Sequence, residues 1–339
     1  MTKDLVNELV LQGQFPQSDR FVELLETHIS WVIICDRYVY KIKRPIQYSF
    51  LDFSTLKKRK FYCEREVVLN QRLTDNIYLD ILPIRKHENN LTIGGEHGET
   101  VDYAVRMRKV DRTRQMDVLL TNNNISDFDL LKLAEKMADF HSTTEIIFRK
   151  NILDVQEKFV DLEAEKSFLD EQLPGDSCAI IAHAINVSQQ FIDTSKELLA
   201  SRLNDGLFRD CHGDLHSRNI FLLSSPQPFD CIEFNDDLRQ IDILNEIAFL
   251  CMDLEAFGRH DLSDLFLKYY NGKFPCIKTD EEQRLFTYYK SYRANIRAKV
   301  NSLRARSAFN NREKVVALAE TGKYLHLMNG YLKELESIF

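Results

Sequence analysis

The run His212-Gly213-Asp214-Leu215-His216-Ser217-Arg218-Asn219 gathers a carboxylate, two imidazoles and a primary amide into one short loop-like stretch. Behind it come the apolar Ile220-Phe221-Leu222-Leu223, the turn-forming Ser224-Ser225-Pro226-Gln227-Pro228, and then Phe229-Asp230-Cys231-Ile232-Glu233. The pattern reads as loop, strand, turn, strand. With the turn centred on Pro226, Asn219 and Glu233 are equidistant from it, and a regular hairpin brings their side chains together. An amide oxygen and a carboxylate are ligands for a hard cation such as magnesium, which takes few protein ligands beside waters and substrate phosphates.

Asp214 precedes Asn219 by five positions. That is the interval between the catalytic Asp and the metal-binding Asn of a kinase catalytic loop, and His212 opens the run as a His opens H-R-D. Far upstream, Glu66 shares a helical face with Tyr62, Leu69 and Leu73. A carboxylate on such an apolar stripe needs a cationic partner. Lys41, in the strand-like Tyr38 to Lys43, is the first choice and Lys43, on the same strand face, the second, because kinases pair a strand lysine with a helix glutamate to hold the lysine against nucleotide phosphates.

The elements that must position these groups follow from periodicity. Residues 21–44 alternate and are rich in aromatic and β-branched types, with Asp36-Arg37 between two runs, which predicts a hairpin. Residues 56–73 have helical spacing, and 77–110 read as strands with turns at Gly94-Gly95 and His97-Gly98. Beyond Asp111 the spacing predicts helices over 128–141, about 153–173, about 241–257, 262–271 and 281–337 with breaks, interrupted by a strand-rich interlude at 220–234. A β-rich part followed by an α-rich part predicts an α+β architecture.

The chain has 339 residues, enough for two lobes, and a net charge of −7, which argues against nucleic acid as a partner. The basic Lys57-Lys58-Arg59-Lys60 reads as a solvated helix face. Seven widely spaced cysteines without a CxxC pair argue against both a disulfide framework and a zinc knuckle. No apolar run approaches the ~18 residues of a membrane span, so a soluble, cytoplasmic protein with no membrane partner is expected. No G-x-x-x-x-G-K-[ST] occurs, so no P-loop is expected.

Over nearly its whole length the chain resembles the aminoglycoside phosphotransferase and choline kinase group, and within it a bacterial branch known only as aminoglycoside-phosphotransferase-like. The likeness rests on Tyr40-Lys41-Ile42-Lys43, on Cys63-Glu64-Arg65-Glu66-Val67-Val68-Leu69-Asn70, on Tyr103-Ala104-Val105-Arg106-Met107, on the loop 212–219 and on Ile232-Glu233-Phe234-Asn235. The resemblance implies a bilobal protein-kinase-like fold, with a β-rich nucleotide-binding lobe over 1–108 and a mainly helical lobe over 109–339 carrying the catalytic loop and substrate site. It implies Asp214 as catalytic base, Asn219 and Glu233 as Mg2+ ligands, Lys41 on the α- and β-phosphates of ATP, Glu66 orienting Lys41, and a hinge from Met107 to Val110 that meets adenine. Asp242 and Glu246 correspond to the pair that supports the catalytic loop. The sequence departs from the family in three places: Glu233 replaces the usual Asp, Glu246 replaces a second Asp, and no G-x-G-x-x-G precedes the lysine. A phosphate cover must therefore come from Thr27-His28-Ile29-Ser30, through backbone N–H groups and the hydroxyls of Thr27 and Ser30.

Two features bear on the acceptor. His216 either faces substrate or fixes the loop backbone. Lys290, Arg293, Arg297 and Arg304 flank the apolar stripe Tyr289, Tyr292, Ile296, Val300 and Leu303. They form either the basic outer face of an amphipathic helix, or a site where Arg293 and Arg297 grip an anionic group of the substrate. His141, on an apolar face, reads as a core histidine. The expected activity is ATP- and Mg2+-dependent phosphorylation of a hydroxyl on a small molecule. The alternatives are a nucleotide-binding regulatory module without transfer and, below it, a protein kinase, for which little room for an activation segment remains between Glu233 and Ile241. Acceptor identity and oligomeric state are left open.

Overall fold

Strand formers dominate the first sheet. Phe21–Glu26 (β1), Ser30–Cys35 (β2) and Tyr38–Lys43 (β3) form an antiparallel meander in which Asp36-Arg37 supplies the two-residue connection between β2 and β3. Tyr78–His87 (β4), Asn90–Ile93 (β5) and Glu99–Arg108 (β6) complete a sheet of order β1-β2-β3-β6-β4-β5. The computed structural model describes residues 1–48, 51–88, 90–173, 175–308 and 310–336. The two turns expected at Gly94-Gly95 and His97-Gly98 are the two ends of one connection, with Gly94 and Gly98 both at positive φ.

Period-two alternation gives this sheet two distinct faces. Tyr40, Ile42, Ile33, Ile84 and Ala104 pack with Val6 and Leu9 of the helix Lys3–Gln12 (α1). Val105 and Met107 pack on the other face with Cys63 and Val67 of Leu56–Asn70 (α2). Helix α2 starts at Thr55, whose hydroxyl accepts from the Lys58 N–H at 3.2 Å. Lys41 and Lys43, two apart on the interior strand β3, point to the α2 side.

The remaining chain is mainly helical: Asp127–Thr143 (α3), Ser177–Asn204 (α4), Ile243–Ala256 (α5), His260–Lys273 (α6), Asp280–Arg306 (α7) and Asn311–Glu336 (α8). The helix expected over 153–173 is broken into Asp154–Val160, a 3-10 turn Asp161–Glu165 and Lys166–Gln172. Every residue from Ile243 to Glu255 is buried, so α5 is the core of the helical part. A short antiparallel ladder, Gln240–Asp242 against Phe208–Asp210, leads one strand into α5 and the other into Cys211 and His212.

The chain divides into two compact units, Met1–Leu119 with Arg218–Arg239, and Leu120–Ser217 with Gln240–Phe339. The expected cut at 108/109 therefore falls inside the first unit, and the segment 218–239, expected in the second lobe, belongs to the first. Among the described residues no helix is long and apolar enough to cross a membrane.

Candidate active site

In the sheet-bearing unit, the face between β3 and α2 carries a chain of charges. The Lys41 ammonium lies 2.8 Å from Glu66 Oε1 and donates to Asp230 Oδ1 at 2.6 Å. Lys43 donates to Glu66 Oε2 at 2.7 Å and also to Glu233 Oε1. The expected Lys41–Glu66 pair is thus present, and the second choice, Lys43, shares the same carboxylate. Glu66, Glu233 and Lys43 are almost completely buried, whereas the Asp230 side chain keeps 42% of its surface exposed. Two ammonium groups face three carboxylates.

Burial opposes charge on these groups. Asp230, Glu66 and Glu233 nevertheless hold the Lys41 ammonium above its usual range, and Glu233 and Glu66 do the same for Lys43. Lys41 and Lys43 pull the Glu66 carboxyl down to about 2. For Glu233 burial outweighs the attraction of Lys43, and its pKa is raised.

The hairpin that brings Glu233 here differs from the expected one. Ile220 pairs with Pro228 and Phe221 with Gln227, so the turn is centred on Ser224 rather than Pro226. Asn219 consequently lies opposite Phe229, whose N–H donates to the Asn219 carbonyl at 2.8 Å, and not opposite Glu233. The ladder is only two pairs long, and the chain leaves it at Asp230, which has φ 63°. Backbone bonds fix that exit: the Asp230 N–H donates to Tyr78 Oη at 3.2 Å and the Cys231 N–H to Asn70 Oδ1 at 2.9 Å.

The other expected nucleotide contacts are built as follows. Thr27 closes the turn between β1 and β2, its hydroxyl accepting from the Ser30 N–H at 2.9 Å and donating to the Ser30 carbonyl at 3.1 Å. Ser30 is fully buried with an unpartnered hydroxyl. Met107 and Val110 belong to the apolar cluster around Cys63 and Val67, and Val110 also lines an open groove with Tyr38 and Arg108.

In the helical unit, the loop from His212 to Ser217 is held by its backbone. Glu246 of α5 accepts from the His212 N–H at 2.6 Å and the Gly213 N–H at 3.0 Å. Asp253, two turns further along α5, accepts from the Ser217 N–H at 2.8 Å and its hydroxyl at 2.5 Å. His212 is buried, and its Nδ1 accepts from the Asp214 N–H at 3.2 Å. Asp242 caps α5 and takes a bidentate ion pair from Arg202 at 2.7 and 2.9 Å. Of the two residues expected to support the loop, Glu246 holds its backbone directly, whereas Asp242 contacts Arg202 and the first turn of α5.

With its backbone fixed, Asp214 presents a carboxylate that is 37% exposed and 3.4 Å from His216 Nε2. Burial works against its charge, but His216, Arg297 and His212 hold its pKa below the usual carboxylate range. His216 is buried against Phe249 and lies 3.5 Å from Arg297 Nη1. Arg293 is also buried. Its guanidinium donates to the Gly213 carbonyl at 3.1 Å and Asn245 Oδ1 at 2.6 Å, so it braces the loop. Arg297 Nε is buried without a partner, while its guanidinium lies over the Tyr324 ring.

His141 is a core residue, as expected, with Nδ1 2.6 Å from Tyr270 Oη. Its ligand atoms and those of Cys211 and Glu246 lie within 4.8 Å of one another, but both Glu246 oxygens already serve the loop. Asn219 and Glu233, both nearly buried in the sheet-bearing unit, offer the amide and carboxylate oxygens that suit a hard divalent cation, although the ladder does not set them opposite each other.

No protein-family model matches the chain. Uncharacterised proteins of Mycobacterium tuberculosis and Mycobacterium bovis are 31% identical over 295 residues, 84% of this chain. The chain spans about half the length of these curated relatives, 55%. Among solved structures, a choline kinase from Cryptosporidium parvum superposes with a TM-score of 0.53 at 10% identity, covering 100% of this chain and 96% of that one. The chain has the protein-kinase-like fold. A Plasmodium vivax ethanolamine kinase (TM-score 0.50, 12% identity, 95% and 84% covered) has it as well. So does an aminoglycoside phosphotransferase solved with GDP and kanamycin (0.50, 13%, 95% and 98%). The resemblance read from the sequence is thereby borne out at the level of fold, an α+β bilobal arrangement.

Sequence reasoning missed three members of the site. Asp253 lies seven residues after Glu246, on the same helical face, and this spacing was the available signal. Arg202 lies in α4, a helix not expected. Asp230 gives no local signal, because its position depends on the positive φ of the hairpin exit.

Proposed function

We propose that the chain is a small-molecule kinase that transfers the terminal phosphoryl group of ATP to a hydroxyl of its substrate. The observation that carries this reading is the loop from His212 to Ser217: Glu246, Asp253 and Arg293 fix its backbone, and Asp214 is left as its exposed carboxylate. Such a group orients a hydroxyl and takes its proton as the oxygen bonds to phosphorus and the bond to the ADP oxygen breaks. We assign nucleotide binding to the sheet-bearing unit, with Lys41 on the phosphates, Glu66 orienting it, Thr27 and Ser30 covering them, and Met107 to Val110 at the base. Asn219 and Glu233 would hold magnesium, which when bound neutralises charge on the phosphates. In the helical unit His216 and Arg297 border the acceptor, and the unpartnered Arg297 Nε supports an anionic substrate group. Seven free thiols favour a reducing compartment, and we assign the protein to the cytoplasm.

The choline, ethanolamine and aminoglycoside kinases that share the fold phosphorylate small molecules, which supports the class but not the acceptor. The test is ADP release from Mg-ATP with and without a desalted pool of small metabolites, beside Asp214→Ala. We expect turnover to need the pool and to fall by about a hundredfold or more in the variant, with ATP binding retained. Undiminished turnover in Asp214→Ala would overturn the assignment. ATP binding without turnover would favour a nucleotide-sensing module, a reading supported by the engagement of Glu233 with Lys43.

A further inference from the structure

Lys41 already has an anion where the proposed function puts a phosphate. Glu66 and Asp230 both contact its ammonium, but they differ in freedom. Glu66 is fully buried and gives its second oxygen to Lys43. Asp230 is 42% exposed, and the interactions described for its carboxylate are with Lys41 alone. The backbone around it is fixed, since the N–H groups of Phe229, Asp230 and Cys231 donate to the Asn219 carbonyl, Tyr78 Oη and Asn70 Oδ1. Only the Asp230 side chain is therefore free to leave Lys41, by rotation into solvent. Its left-handed backbone, φ 63°, is one that Asp tolerates better than most residues.

We propose that Asp230 is a specificity-determining residue that stands in for a nucleotide phosphate on Lys41 and makes the site select metal-complexed over metal-free nucleotide. The inference rests on the assignment of Lys41 to the phosphates. An incoming phosphate replaces the Asp230 carboxylate, so Lys41 stays paired in both states. The displaced carboxylate stays tethered beside Lys41 by its fixed backbone, and Glu233 stays buried against Lys43. Three carboxylates against two ammonium groups then repel a bare polyphosphate, and a divalent cation carried in with the nucleotide removes that repulsion. Without Asp230 the site loses this dependence.

The experiment is calorimetric titration of the full chain with ATP in EDTA and with ATP in excess magnesium. Wild type, Asp230→Asn, Asp230→Gly and Lys41→Met are compared. Glycine suits the positive φ and provides a second carboxylate-free variant, and matched melting temperatures check folding. We expect both Asp230 variants to bind metal-free ATP about tenfold or more tighter than wild type, with the gap closing in magnesium. If they bind metal-free ATP no tighter while Lys41→Met weakens binding in both buffers, the selection role is wrong and the nucleotide site stands. If Lys41→Met binds as wild type does throughout, the assignment of Lys41 fails and the inference falls with it.

Discussion

Glu66 gives one carboxylate oxygen to Lys41 and the other to Lys43. Glu66→Gln would leave two nearly buried ammonium groups short of counter-charge, and breaking a buried pair in this way costs about 3–5 kcal/mol. The pH dependence has a definite sign. The Glu66 carboxyl titrates at about 2 in the folded chain against 4.5 ordinarily. Its stabilisation is therefore complete above the ordinary value and fades as pH falls toward the folded one. Melting curves at stepwise lower pH should show a large gap between wild type and Glu66→Gln at neutrality that narrows through the acid range; a constant gap would contradict an ionised Glu66. At this scale the sequence was informative wherever side-chain periodicity decides the partner. The helical stripe of α2 placed Glu66 inward, and the two-residue period of β3 put Lys41 and Lys43 on its side. Asp230 was not legible, because a backbone reversal rather than a repeat positions it.

The loop from His212 to Ser217 takes its shape from two helices, α5 through Glu246 and Asp253 and α7 through Arg293. Arg293→Lys keeps the charge but loses the planar fork that reaches both Gly213 and Asn245. We expect turnover to fall by about tenfold or more while the KM for ATP stays within about twofold, since Arg293 acts through the position of Asp214. Steady-state kinetics on both substrates check this, and an equal loss in ATP affinity would contradict it. The motif at 212–219 stood out from spacing alone, but its anchors were only half legible. Helix α5 is buried on all sides, so no amphipathic stripe singles out Asp253. Similar physics explains the broken helix at 154–172: buried Phe159, Leu162 and Glu165 recur every three residues, a spacing that suits a 3-10 turn. In α4 the buried Ser177, Ser188 and Arg202 dilute the apolar stripe.

Across both units the seven cysteines are free, and all but the half-buried Cys178 are buried. Burial pushes the thiols of Cys35, Cys63, Cys251 and Cys276 up to about 12, which suppresses the reactive thiolate. Thiol titration should therefore label about one cysteine quickly in the native chain and all seven after denaturation; rapid native labelling of several would contradict this packing. The change from strands to helices was legible at this scale as an α+β chain. That residues 218–239 belong with the first unit was not, because a local pattern cannot say which distant strand a short segment joins. This interleaving matters when the chain is made. Lys41 and Asp230 are 189 residues apart and Lys43 and Glu233 190. At about 5–20 residues per second, the ribosome delivers the acids about 10–40 s after the lysines. Glu66, 23 residues beyond Lys43, arrives almost at once and can hold both cations until the hairpin is synthesised.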